Sequence, residues 1–175
     1  MERVINLNEE NAPLVASFMN RIKPEWWPTA HDGLAQLTDV QASIDTVGWY
    51  LENDQKQPTG WVLFRELKAY NTLELECCGY DDQGVFKLEH KLEKLFEQAE
   101  NYARSKGYTM LRTGMSTVDF TINGEKITDV AAAMNSLETT RIDYSWLLDW
   151  GFQVIGIQPN VYGNNCHMII LTKSL

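Results

Sequence analysis

Two acids, Glu74 and Glu76, stand two residues apart in the run Leu73-Glu74-Leu75-Glu76-Cys77-Cys78. Alternation of apolar and acidic residues is the pattern of a half-buried strand, and it sets both carboxylates on one face. In a partly dry cleft such a carboxylate titrates above its usual range and can take a proton; facing water, it is only a solvated acid. Glu66, at the end of the preceding strand, is a third candidate of this kind. Lys87 and Lys91 lie one helical turn apart, where they can meet phosphate as point charges or simply face solvent. Metal chemistry lacks its spacing. Cys77, Cys78 and Cys166 contain no CxxC, and His31, His90 and His167 are far apart, so no metal site is expected. Cys77 reads as a small core residue.

The elements that must position these residues follow from periodicity. Residues 3–7 read as a first strand. Asn8 can cap a helix whose early acids, Glu9 and Glu10, suit its positive end, with Leu14, Val15, Phe18 and Ile22 at helical spacing. Pro24 and Pro28 bend the chain around Trp26-Trp27 before a shorter helix near 34–44. Three strands are expected at 47–52, 60–65 and 73–78, joined as an antiparallel meander. Next comes the strongest helical pattern, from Val85 or Phe86 to about Lys106. Leu88, Leu92, Leu95, Phe96, Ala99 and Ala103 line one face, and Gly107 can form the left-handed C-cap. A strand at 109–116 completes a strand–helix–strand unit and is therefore parallel to 73–78. A helix at 144–150, ending at Gly151, and strands at 153–157 and 166–173 close the chain. The fold class is α/β with a mixed sheet.

Composition bounds the partners. The chain has 175 residues, 44% hydrophobic, with a formal charge of −9. That is the size of one compact domain, and no linker divides residues 1–175. The acidic balance opposes nucleic acid and anionic membranes. No apolar run approaches a bilayer span, and the first residues lack the pattern of a signal peptide. The adjacent cysteines suit reducing conditions, so a soluble cytoplasmic protein is expected.

The element order resembles that of the GNAT superfamily of acyl-coenzyme-A-dependent N-acyltransferases. Ala103-Arg104-Ser105-Lys106-Gly107-Tyr108 looks like the end of that family's long cofactor helix. Trp146-Leu147-Leu148-Asp149-Trp150-Gly151-Phe152 is similar to its L-Y-x-x-x-G-F segment, and residues 167–175 resemble its last strand. The resemblance implies a mostly antiparallel sheet with a parallel central pair, flanked by helices. It also implies an N-acetyltransferase that moves an acetyl group from acetyl-coenzyme A directly to a primary amine of a small molecule or peptide. The family's glycine-rich phosphate loop would fall on Lys87-Leu88-Glu89-His90-Lys91-Leu92, where only the basic first position remains; Gly79 to Gly84 is the alternative cradle. Cofactor contacts are therefore expected from Cys77, Cys78 and Gly79, through the strand's main chain, and from Lys87. Glu76, nearer the strand end than Glu74, is expected as the base. Leu147 occupies the place of the family's acid tyrosine, and Tyr144, three residues earlier, is its nearest replacement. Trp26 and Trp27 fall in the region that resembles the acceptor lid, where they stack on a substrate or fill a helix–helix core. Residues 117–141 are longer than the usual link and suggest an added helix at 129–134, covering the acceptor cleft or making a homodimer contact. With both the glycine loop and the tyrosine changed, a non-catalytic GNAT-fold binding or interaction protein is the alternative.

Overall fold

The computed structural model describes residues 2–43, 45–81 and 88–175, with 39–43 and 88–91 by backbone alone. In chain order the elements are β1 (Arg3–Asn6), α1 (Ala12–Ile22), α2 (Ala30–Ser43), β2 (Thr46–Glu52), β3 (Pro58–Leu67) and β4 (Thr72–Tyr80). There follow α3 (Leu88–Ser105), β5 (Met110–Ser116), α4 (Val130–Asn135), α5 (Ile142–Asp149), β6 (Gln153–Gln158) and β7 (Met168–Ser174). The strands form one mixed sheet in the order β1-β2-β3-β4-β5-β7-β6. β1 to β4 run antiparallel to their successive neighbours, and β7 runs antiparallel to both β5 and β6. The expected fold class is the one observed. Packing divides the chain into two compact units, Met1–Thr109 and Met110–Leu175.

In the first unit, α1 starts later than Asn8 predicts. The Asn8 side chain accepts from the N–H groups of Glu10 (3.0 Å) and Asn11 (3.1 Å), closing a turn after β1. Pro13 then enters the first helical turn, where no intrahelical N–H is needed. The buried face runs through Ala12, Val15, Ala16 and Met19, with Phe18 beside it; Leu14 falls off that stripe and is exposed. On one side of the sheet this face packs with Trp27, Leu37, Tyr50, Trp61 and Leu63. Trp61 is held edge-to-face by Phe18 (5.7 Å between ring centroids) and Trp27 (5.6 Å).

Alternation sends Trp49 and Phe64 to the opposite side, beneath α3. There Phe64 meets Phe96 at 5.8 Å, and Trp49 meets Tyr102 at 5.4 Å. Leu92, Leu95, Phe96, Ala99 and Ala103 are all buried, as their spacing predicts. The side chain of Leu88, and an α3 start at Val85 or Phe86, lie outside the described residues. Gly107 ends the helix with φ +79, while Tyr108 N–H reaches back to the Ala103 carbonyl at 2.9 Å. This is the C-terminal closure that glycine permits.

The second unit is built on β7, which pairs with β5 and β6 and buries Ile169 and Leu171 beside Leu111. The expected added helix is α4, whose Asp129 side chain caps it by accepting from Ala132 N–H (3.0 Å). β7 starts at Met168 rather than residue 166. His167 instead exchanges bonds with Thr117, donating its N–H to Oγ1 (2.9 Å) and accepting the Thr117 N–H (3.0 Å). Its ring is buried: Nδ1 accepts from Asn160 N–H (3.1 Å), which leaves Nε2–H to donate to the Glu125 carbonyl (2.9 Å).

Candidate active site

The strict alternation expected along β4 breaks at Glu76. Leu63 pairs with Cys77 and Phe64 with Leu75, so Glu76 is the extra residue of a β-bulge. One inserted residue shifts the faces: Glu74 and Cys77, three positions apart, both lie on the side covered by α1 and α2. Arg65 sits opposite Glu74 in the register and places Nε 2.7 Å from Glu76 Oε1. The two side chains are 31% and 16% exposed. At this distance the two form an ion pair. Burial pushes the Glu76 carboxyl above its ordinary range; Arg65 opposes that shift, and the charge on Glu74 adds to it. The result is a half-buried acid on a bent strand, suited to taking up a proton.

Of the expected cofactor-binding run, each member has a distinct setting. Cys77 packs against the aromatic cluster under α1, and burial pushes its thiol up to about 12. It therefore stays a neutral thiol at physiological pH and is no nucleophile. Gly79 lies opposite Trp61, and a Cβ there would come within 2.2 Å of the indole Cη2. Glycine is required because the indole fills that space. The Asp81 N–H bonds the Thr59 carbonyl at 2.8 Å, so alternation turns the main chain of Gly79 and Cys77 toward β3 and that of Cys78 toward the other edge. Lys87 and the cradle ending at Gly84 lie outside the described residues.

Glu66, the third acid, is engaged otherwise. Its Oε1 accepts from Tyr102 Oη (2.7 Å) and from Tyr108 Oη (3.0 Å), tying the end of β3 to the last turns of α3. Burial, then this carboxylate, raises both phenols, Tyr108 to about 12. A carboxylate oxygen already shared by two hydroxyls is a structural anchor. Trp27 fills the helix–sheet core, whereas Trp26 is 63% exposed with Lys23 Nζ 4.8 Å over its ring. His31 is exposed.

In the second unit, Tyr144 stands in the first turn of α5, its ring edge-to-face with Phe120 at 5.0 Å. Burial raises its phenol above the ordinary value. Leu147, in the place of the family's tyrosine, is buried. Residues 117–141 have structure of their own. Phe120 bridges Thr139, Thr121 Oγ1 donates to the Ser136 carbonyl (2.8 Å), and Arg141 donates to the Ser116 carbonyl (3.2 Å). Two features of the site escape the sequence reading, Arg65 and the bulge. Arg65 had a signal, since it ends the apolar run Trp61-Val62-Leu63-Phe64 across the meander from two acids. The bulge had none. Among the described residues no group of three His, Cys, Asp or Glu side chains could hold a metal ion, and no helix is long and apolar enough to cross a membrane.

No family model matches the sequence, and no curated protein resembles it in sequence. Solved structures do resemble it in fold. The aminoglycoside 6'-N-acetyltransferase from Enterococcus faecium superimposes with a TM-score of 0.80 at 15% identity, covering 98% of this chain and 96% of that one. An aminoglycoside 6'-N-acetyltransferase complexed with coenzyme A gives the same values. The ribosomal-protein-S18-alanine N-acetyltransferase from Escherichia coli gives 0.66 at 13% identity, with 99% and 94% covered. The chain has the fold of the GNAT superfamily. The likeness runs over essentially its whole length.

Proposed function

We propose that the protein is an N-acetyltransferase that moves an acetyl group from acetyl-coenzyme A directly to a primary amine. The observation that carries this reading is Glu76: a half-buried carboxylate on the β4 bulge, its pKa raised by burial. An ammonium must lose a proton before its nitrogen can attack a carbonyl, and a carboxylate whose pKa is raised by burial is suited to accept it. Tyr144, kept protonated by its own raised pKa, is proposed to give a proton to the departing sulfur. For the cofactor, the test of fit is the β4 edge. Cys78 is proposed to offer the cofactor main-chain contacts from the end of β4. Cys77 and Gly79 shape the same run, and Lys87 is proposed to meet phosphate charge. When bound, acetyl-coenzyme A supplies the activated thioester carbonyl. The net charge of −9 favours a cationic acceptor, a small molecule or a basic peptide. The three free cysteines fit a reducing, cytoplasmic setting.

A second reading, a GNAT-fold binding protein without catalysis, is favoured by the buried Leu147 in the tyrosine's place. Calorimetric titration with acetyl-coenzyme A separates the two, followed by thiol release with a panel of amines. Saturable binding in the micromolar range, weakened by Lys87→Glu, and amine-dependent thiol release are expected. Binding without release, or no heat at millimolar ligand, supports the second reading and contradicts the first.

A further inference from the structure

Resting on the reading of Glu76 as the base, we propose that Arg65 is its positioning residue, fixing the orientation and charge of the carboxylate from the neighbouring strand. A bulge frees a side chain from the alternation of its strand, and something must then hold that side chain in one direction. Arg65 does this from β3, where the register sets it opposite Glu74, with Nε 2.7 Å from Glu76 Oε1. The contact is made at Oε1. The contact is an ion pair, so Arg65 restrains the carboxylate and favours its charged form.

Charge supports the same role. Glu76 is under two opposed influences: burial and Glu74 favour its neutral form, whereas Arg65 favours the charged form. Among the described residues, Arg65 from β3 and Glu74 from β4 act on it by charge, and the Cys77 thiol beside it is held neutral. A base that is protonated before the amine arrives is useless. Arg65 therefore sets the lower end of the pH range in which Glu76 is ready.

The test uses the full-length protein with selectively 13C-labelled glutamate, Glu76 being assigned by Glu76→Gln. Its carboxyl midpoint is read by NMR titration in wild type, Arg65→Gln and Arg65→Lys, a readout that needs no enzyme activity. The expected result is an upward shift in Arg65→Gln and a midpoint near wild type in Arg65→Lys, which keeps the charge. Each unit of upward shift removes about tenfold of the ionised carboxylate below the midpoint. If acetyl transfer is found, its acid limb moves by the same amount, and the Arg65→Gln rate recovers at high pH. An unmoved midpoint in Arg65→Gln overturns the proposal. Should that variant fail to fold, a displaced midpoint in Arg65→Lys overturns it equally. A correct NMR shift with no acetyl transfer from any amine would instead count against Glu76 as base and leave Arg65 as its electrostatic partner.

Discussion

Glu66 and Glu76 are the same residue type on neighbouring strands of one sheet, and the structure gives them different surroundings. Glu66 lies under α3, where Tyr102 and Tyr108 both donate to one of its oxygens. Glu76 lies on the α1 and α2 side, displaced by a bulge, with one guanidinium contact and a carboxyl raised by burial. The first acid is satisfied by neutral donors that hold two elements together. The second is paired with a guanidinium, and burial raises its carboxyl above the ordinary range. What distinguishes the two carboxylates is the donors around them and the regularity of their strands. The side chain itself is identical.

The comparison breaks most directly if the two acids are exchanged in role. Glu76→Gln should lower the turnover of acetyl transfer by about 10²–10⁴-fold, the usual worth of a general base, while leaving the melting temperature close to wild type. Glu66→Ala should do the reverse, retaining turnover and costing about 1–3 kcal/mol of stability as two hydroxyls lose their acceptor. Steady-state kinetics with urea melts of both variants checks the pair. A swap of these outcomes refutes the assignment.

The support of the Glu66 face gives a second, purely structural test. Leu95 is fully buried in α3, so Leu95→Ala should cost about 2–5 kcal/mol in denaturant unfolding. A change below about half a kcal/mol would mean that α3 is packed otherwise.

The smallest expected effect concerns the tyrosines. Tyr102→Phe removes one hydrogen bond and should cost about 0.5–1.5 kcal/mol near neutral pH. Because the folded phenols titrate above their unfolded value, their contribution is complete below about pH 10 and is lost as pH rises through the folded value, about 12 for Tyr108. Wild type should therefore lose stability more steeply than Tyr102→Phe or Tyr108→Phe across that alkaline range, as followed by urea melts at fixed pH steps.

Much of this architecture is legible in the residues. The α3 stripe from Leu92 to Ala103, its glycine closure at Gly107 and the β2–β3–β4 meander all follow from periodicity and turn chemistry. Asn8 misled because an Asx turn competes for the same side chain that a helix cap would use, and Pro13 offers a later start. Leu14 misled because helical spacing locates a stripe only to within its rim. The site was less legible. Leu73, Leu75 and Cys77 read as one apolar face, and nothing in that run announces the extra residue that moves Cys77 to the other side. The placement of Gly79 opposite Trp61 depends on register, which no local pattern encodes. Glu66 and Glu76 were indistinguishable as acids near strand ends. Their difference comes from Tyr102, Tyr108 and Arg65, which reach them across strands and helices.

The central claim is that Glu76 is the base, and the pH dependence of kcat/KM for acetyl transfer tests it most directly. With acetyl-coenzyme A saturating and a cationic primary amine as acceptor, wild type should gain activity with rising pH through a midpoint above the ordinary glutamate range. In Glu76→Gln that limb should vanish, leaving a low rate whose remaining pH dependence is that of the amine. An acid limb unchanged in Glu76→Gln, at wild-type rates, would contradict the account.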